Sequence, residues 1–278
     1  MNKPTIISDI SSLVDAVVIA NKSFASQIWW RGHANSGWDL KPSVFREKHE
    51  ESYEQNVIFR FRQKAQVRHG NLPSPDDYYG WLFLMQHYRL PTRLLDWTES
   101  PLNAAFFALG DKFDEQEDGC LYALNPYELN QKELGVQGTI IPNNVSGLPL
   151  IKKAFDSQAI DINKVLAIEP TEVDIRMMVQ LSTFTVHGTG KSIYDCAEID
   201  DFLIKFLIPS SSKKLLREEL KYLGIRESNL FPDLEHLAQE IKSVTFRTPL
   251  TIDKNTSSTD NEVSQDINIP GVDLKASS

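Results

Sequence analysis

The longest unbroken apolar run in this chain covers only residues 104–109. That is far short of the roughly 20 residues that span a bilayer. No element can be buried on all sides for long, so the chain has to fold as packed layers of short helices and strands. The opening Met1-Asn2-Lys3-Pro4 is polar, with no apolar stretch of signal-peptide type behind it, and the only cysteines are Cys120 and Cys196. Together these features predict a cytoplasmic protein without membrane contact or disulfides. At 278 residues, 41% of them hydrophobic, the chain can bury a sizeable core.

Short elements of both kinds follow in turn. Asp9 caps a first helix carrying Leu13, Val14, Val17 and Val18 at helical spacing, and residues 27–31 read as a strand stopped by Gly32. Residues 50–68 form a second helix, and Ser74-Pro75-Asp76-Asp77 opens a third that ends at Leu90-Pro91. An extended segment over 92–97 leads to Ser100-Pro101, which opens a buried helix. Residues 119–124, 165–168 and 184–187 read as strands, and 171–180 as a helix. Residues 202–208 read as a strand buried on both faces, followed by a helix capped by Ser210 or Ser211 and closed by Gly224, and a last helix at 234–241. The Asn, Gly and Pro of residues 125–163 suggest a loop-rich insertion, and 251–278 a disordered polar tail behind one domain over 1–250. The fold class is α+β, with a mixed or split antiparallel sheet and surrounding helices.

The formal charge of -9 disfavours broad binding to nucleic acid. The acidity is uneven, however. Residues 1–110 hold 12 Lys+Arg against 11 Asp+Glu, and residues 111–278 hold 17 against 27. Seven arginines lie in the first part: Arg31, Arg46, Arg60, Arg62, Arg68, Arg89 and Arg93. Planar two-point donors in that number suit an anionic small ligand.

Several familiar chemistries are excluded. Gly188-Thr189-Gly190-Lys191-Ser192 lacks the glycine of a phosphate loop, since Thr185 stands there. There is no H-E-x-x-H, G-x-S-x-G or G-x-G-x-x-G, and no zinc-type spacing of His and Cys, so no metal is expected.

The segment Trp29-Trp30-Arg31-Gly32-His33, followed by Trp38-Asp39-Leu40-Lys41-Pro42-Ser43-Val44-Phe45-Arg46, resembles the opening signature of the FRG domain. The resemblance continues from Gln86-His87-Tyr88-Arg89-Leu90-Pro91-Thr92-Arg93-Leu94-Leu95-Asp96-Trp97 through Ala108. Gln180-Leu181-Ser182-Thr183-Phe184-Thr185 and Leu230-Phe231-Pro232-Asp233-Leu234 are similar to later family elements, so the likeness spans about residues 25–245. Two positions depart from the family pattern: Arg89 stands where glycine is usual, and Leu181-Ser182 where a small or glycine-containing pair is common.

The resemblance implies a bacterial or phage protein, with a proposed kinship to the ADP-ribosyltransferase fold. It implies NAD as ligand and a role in conflict between bacteria and phages, with a protein or nucleic acid as target. Arg31, Thr92 and Gln180 would then fill a three-part site, with His87 and Asp96 as further catalytic candidates. Trp30, Gly32, Gln86, Tyr88, Arg93 and Trp97 would line the pocket. A strand-end arginine can hold a pyrophosphate, and aromatic rings can stack on nicotinamide. Each residue also has a plainer reading: Arg31 paired with Asp96, His87 at a helix dipole, Trp97 in the core. A non-catalytic sensor, and then a nuclease or nucleic-acid binder, are the alternatives to an enzyme.

Overall fold

The computed structural model describes residues 5–50, 52–68, 70–110, 116–141, 147–171 and 174–245. The expected polar tail over 251–278 lies outside the described residues.

The fold is α+β, as expected. Six strands form one antiparallel sheet: β1 (Trp29–His33), β2 (Leu94–Thr98), β3 (Gly119–Leu124), β4 (Val165–Ile168), β5 (Ser182–His187) and β6 (Leu203–Ile208), in the order β4-β5-β2-β1-β3-β6. Its centre is its weakest line. β2 and β5 share five register pairs, as do β1 and β3, but β1 and β2 share one, Trp30 opposite Thr98. The sheet is therefore two three-stranded halves joined at a single rung.

Helices cover one face. Over the β1-β3-β6 half lie α1 (Ile10–Phe24), α4 (Pro101–Leu109) and α8 (Ser210–Tyr222), around Trp30, Leu121 and Phe206. Over the other half lie α2 (Tyr53–Ala65), α3 (Tyr78–His87) and α6 (Leu148–Phe155), around Leu82, Phe83, Leu94 and Phe184. The opposite face buries Trp29, Leu95, Trp97 and Tyr122 beneath Leu40, Leu129 of α5 (Pro126–Leu134) and Ile193. Three further helices, α7 (Ile175–Gln180), α9 (Glu227–Leu230) and α10 (Leu234–Thr245), complete the described chain. Among the described residues no helix is long and apolar enough to cross a membrane.

Local chemistry accounts for most of these boundaries. Asp9 and Ser12 form a reciprocal cap on α1, and Ser100 caps α4 ahead of Pro101. Three expectations are corrected. The stretch over 125–163 contains α5 and α6: Asn125 caps α5, Pro126 is its first residue, and Gly135 at φ 70° ends it. Asn125, Pro126 and Gly135, which suggested a loop, are helix punctuation. α8 has Pro209 at its cap position with no side-chain bond, and the Asp118 carboxylate instead accepts the Ser210 N–H at 2.8 Å. β6 is an edge strand with Ile204, Lys205 and Leu207 only half-buried. Ile6 lies beside it, and Leu207 exchanges backbone bonds with Thr5 and Ile7. Apolar periodicity carries no information about which strand lies outermost.

The tightest contact in the fold is between β1 and α4. A Cβ on Gly32 would lie 2.0 Å from the Ala104 carbonyl oxygen and 2.5 Å from the Ala108 nitrogen. Gly32 and the small Ala104 and Ala108 thus bring a helix backbone directly onto a strand backbone. Gly32→Ala is expected to cost at least about 3 kcal/mol, because rigid backbone rather than a flexible side chain would have to move. Urea unfolding of the variant against the wild type measures this.

Candidate functional site

On β1, alternation sends Trp29, Arg31 and His33 to one face and Trp30 and Gly32 to the other. Trp30 stacks on Phe206 at 6.3 Å in the core. Arg31 stands beside the single-rung seam. Its Nε donates to Nε2 of His33 at 2.8 Å, and its Nη1 donates to the Asp96 carbonyl at 2.5 Å, with an Asp96 carboxylate oxygen at 3.9 Å. Burial lowers the Arg31 pKa to about 10, partly offset by Asp96 and reinforced by Arg46. The group stays charged at neutral pH. His33, buried and accepting from a guanidinium, is the neutral tautomer with its proton on Nδ1. Burial first, then Arg31, Arg46 and Lys205, push its pKa down to about 2.

Three residues, from α3, from β2 and from the turn before β2, complete this side of the seam. Thr92 donates its hydroxyl to Oε1 of Gln86. Gln86 Nε2 in turn donates to both Asp96 oxygens, at 3.0 and 2.8 Å. Both ends of the amide are thereby assigned, and Asp96 is held at the surface with its side chain 55% exposed. Arg31, Gln86, Thr92 and Asp96 form one connected network.

The other expected site residues lie elsewhere. Arg93 is sealed in the core, where it makes a two-point ion pair with Glu54 at 2.9 and 2.5 Å and donates to the carbonyls of Leu150 and Gly188. Trp97 is buried, and its Nε1 donates to Thr185 at 3.2 Å. Thr185 stands 3.1 Å from His187 Nε2, and His187 Nδ1 donates to the Lys191 carbonyl at 2.8 Å. His87 pairs with Asp174 at 2.8 Å and meets the Tyr88 ring edge-on. Burial alone would raise the Asp174 carboxyl, but bonds from His87 and the Met177 backbone outweigh it and hold it below the ordinary carboxylate range. A cavity of about 270 Å³ between Leu72, Gly80 and Leu84 opens onto His87, Tyr88 and Asp174. Gln180 turns its amide to the Leu230 carbonyl at 2.9 Å, while its own carbonyl accepts from Thr98 at 2.6 Å.

An FRG domain model matches residues 26–117, the stretch that supplies β1, α3, β2 and α4 and every member of the Arg31 network. Residues 26–117 carry an FRG domain. No curated protein and no solved structure matches the chain. Within the FRG pattern both departures noted in the sequence fall on left-handed backbone: Arg89 has φ 59° and Leu181 φ 49°. Glycine adopts that conformation without cost, so glycine is the sterically easy residue at both positions. The phosphate-loop lookalike is accounted for in the same terms. A Cβ on Gly188 would lie 1.9 Å from the Ile162 carbonyl oxygen, and Lys191 pairs with Glu133 at 2.7 Å.

His33, Glu54, Arg176 and His187 were not singled out from the sequence as site or network residues, and Arg46 entered only as one of the seven arginines of the first part. Glu54 had the one visible signal, a carboxylate on the half-apolar face of α2, but nothing in a linear reading joins it to Arg93, 39 residues on. Glu54→Ala would leave the Arg93 charge buried and unpaired, at an expected cost of about 3–5 kcal/mol in denaturant unfolding. His187 supplies a pH test. Burial lowers its pKa from 6.5 to about 4, so the folded state holds it neutral. Its contribution is full above pH 6.5 and is lost as pH falls toward 4, up to about 3 kcal/mol in all. Thermal melts of wild type and His187→Gln across that window should converge at the acid end.

Proposed function

We propose that this FRG-domain chain binds a nucleotide of NAD type at the seam between β1 and β2, with Arg31 on the pyrophosphate, and acts on it as an ADP-ribosyltransferase-like enzyme. The observation that carries the reading is the state of the Arg31 guanidinium. It is charged, its side chain is only 14% exposed, and it is committed through Nε and Nη1, while Nη2 has no hydrogen bond among the described residues. A shielded charge of this kind attracts an anion with little screening, and the guanidinium is already oriented by His33 and Asp96.

Asp96 is the carboxylate at hand for the positive charge that develops on ribose as nicotinamide leaves. Gln86 positions it and Thr92 positions Gln86, so Thr92 acts through its neighbours rather than on a ligand. Glu99 accepts from Gln27 at 2.6 Å and is the less available acid. The acceptor of the transferred group would be a protein or nucleic acid. A second reading, a sensor that binds the nucleotide without turnover, is favoured by one observation: Gln180 is engaged by Leu230 and brings no second polar group to Arg31.

Calorimetric titration of NAD, paired with an assay of nicotinamide release, tests both. Arg31→Ala is expected to weaken NAD binding by at least about tenfold, the loss of one charge-assisted contact. Asp96→Asn is expected to keep binding and lose release. Binding by the wild type with no release replaces the enzyme by the sensor, and no binding of NAD rejects the pocket.

A further inference from the structure

On the β2 side of the seam, two arginines share one aromatic ring. The Arg176 guanidinium lies over Phe231 at 4.6 Å from the ring centroid, and that of Arg89 at 5.9 Å. The ring is well seated: it stacks on His236 at 4.8 Å, meets Phe107 edge-on at 6.2 Å, and its neighbour Leu230 is tied to α7 through Gln180.

The carboxylates near this pair are committed elsewhere. Asp174 is held by His87, Asp233 by His236 at 2.7 Å and Asp96 by Gln86. Arg176 donates once, to the His87 carbonyl at 3.2 Å, and the Arg89 guanidinium makes no hydrogen bond or ion pair among the described residues. Burial, then repulsion from Arg89, lowers the Arg176 pKa and outweighs the opposing attraction of Asp96, Asp174 and Asp233.

Arg89 also carries a backbone cost. Its φ of 59° disfavours any side chain by about 1–2 kcal/mol, and glycine would remove that cost. Strained backbone beneath an unpaired guanidinium marks a position kept for what the side chain does.

We propose that Arg89 and Arg176, seated on Phe231, form a phosphate subsite that takes a phosphomonoester group. Two planar forks converging from one platform can each give two-point bonds to a dianion with three equivalent oxygens, and the dianion relieves their mutual repulsion. The subsite uses none of the contacts of Arg31, so it goes beyond the NAD reading and does not rest on it. The phosphate could end a small nucleotide or a nucleic-acid strand, since the chemistry recognised is the same.

The test is calorimetric titration of inorganic phosphate, at low and matched chloride, into the full chain as wild type, Arg89→Gly, Arg176→Gln and Arg31→Ala. The wild type and Arg31→Ala are expected to bind alike. Arg89→Gly and Arg176→Gln should each weaken binding by about tenfold or more. Arg89→Gly should do so with no loss of thermal stability, because glycine suits the left-handed backbone, so misfolding cannot account for its effect. Equal binding by Arg89→Gly and wild type, or no binding by the wild type, overturns the proposal. AMP and a 5′-phosphorylated oligonucleotide, each against its unphosphorylated counterpart, identify the source by which gains more from its phosphate. No gain in either also overturns it.

Discussion

The approach of α4 to β1 governs the rest of the architecture. With no side chain on Gly32 and only methyl groups on Ala104 and Ala108, helix and strand backbones meet directly. β1 is thereby placed by the helix on its back rather than by a full ladder to β2, which it meets at one rung. The two halves of the sheet can then part beside Arg31 without either losing its packing. An arginine at that point meets a free carbonyl, that of Asp96, where a continuous sheet would present a strand neighbour.

The contrast between Arg31 and Arg93 shows what distinguishes a structural guanidinium from one available to a ligand. Arg93 is satisfied by a carboxylate and two carbonyls in a dry environment, and it ties α2, the start of α6 and the end of β5 together. Arg31 has the same chemistry but faces a seam, with a polar surface network on its far side. Around the Arg31 network, Arg46 acts on Arg31 and His33 and Lys205 on His33 on one side, and on the other Arg176, beside Arg89, faces Asp96. The chain as a whole is acidic, yet this rim is basic. That distribution suits a small anion better than a long polyanion.

The start of α1, the strands and the capped α4 were legible in the sequence because each depends on neighbours a few residues away. Asp9, Ser100 and Gly224 mark their boundaries by local hydrogen bonding or backbone preference. Residues 125–163 misled for the same reason: Asn, Pro and Gly cap helices as readily as they form loops, and only packing decides which. The Gln86, Thr92 and Asp96 part of the network could be anticipated because its members lie within one short stretch and a recognisable family segment.

By itself the sequence determined the fold class, the family segment and the positions where glycine or a departure from it would matter, because those rest on local sterics and short-range periodicity. Tertiary structure alone decided which arginine is sealed and which is open, that Gln180 serves Leu230 rather than Arg31, and that Arg89 and Arg176 meet on Phe231. Partners 39 to 142 residues apart in the chain, such as Glu54 with Arg93 and Arg89 with Phe231, are brought together only when the sheet closes its order and the helices settle on it. Burial and charge, which set what each group can do, are properties of that assembly and not of any local stretch.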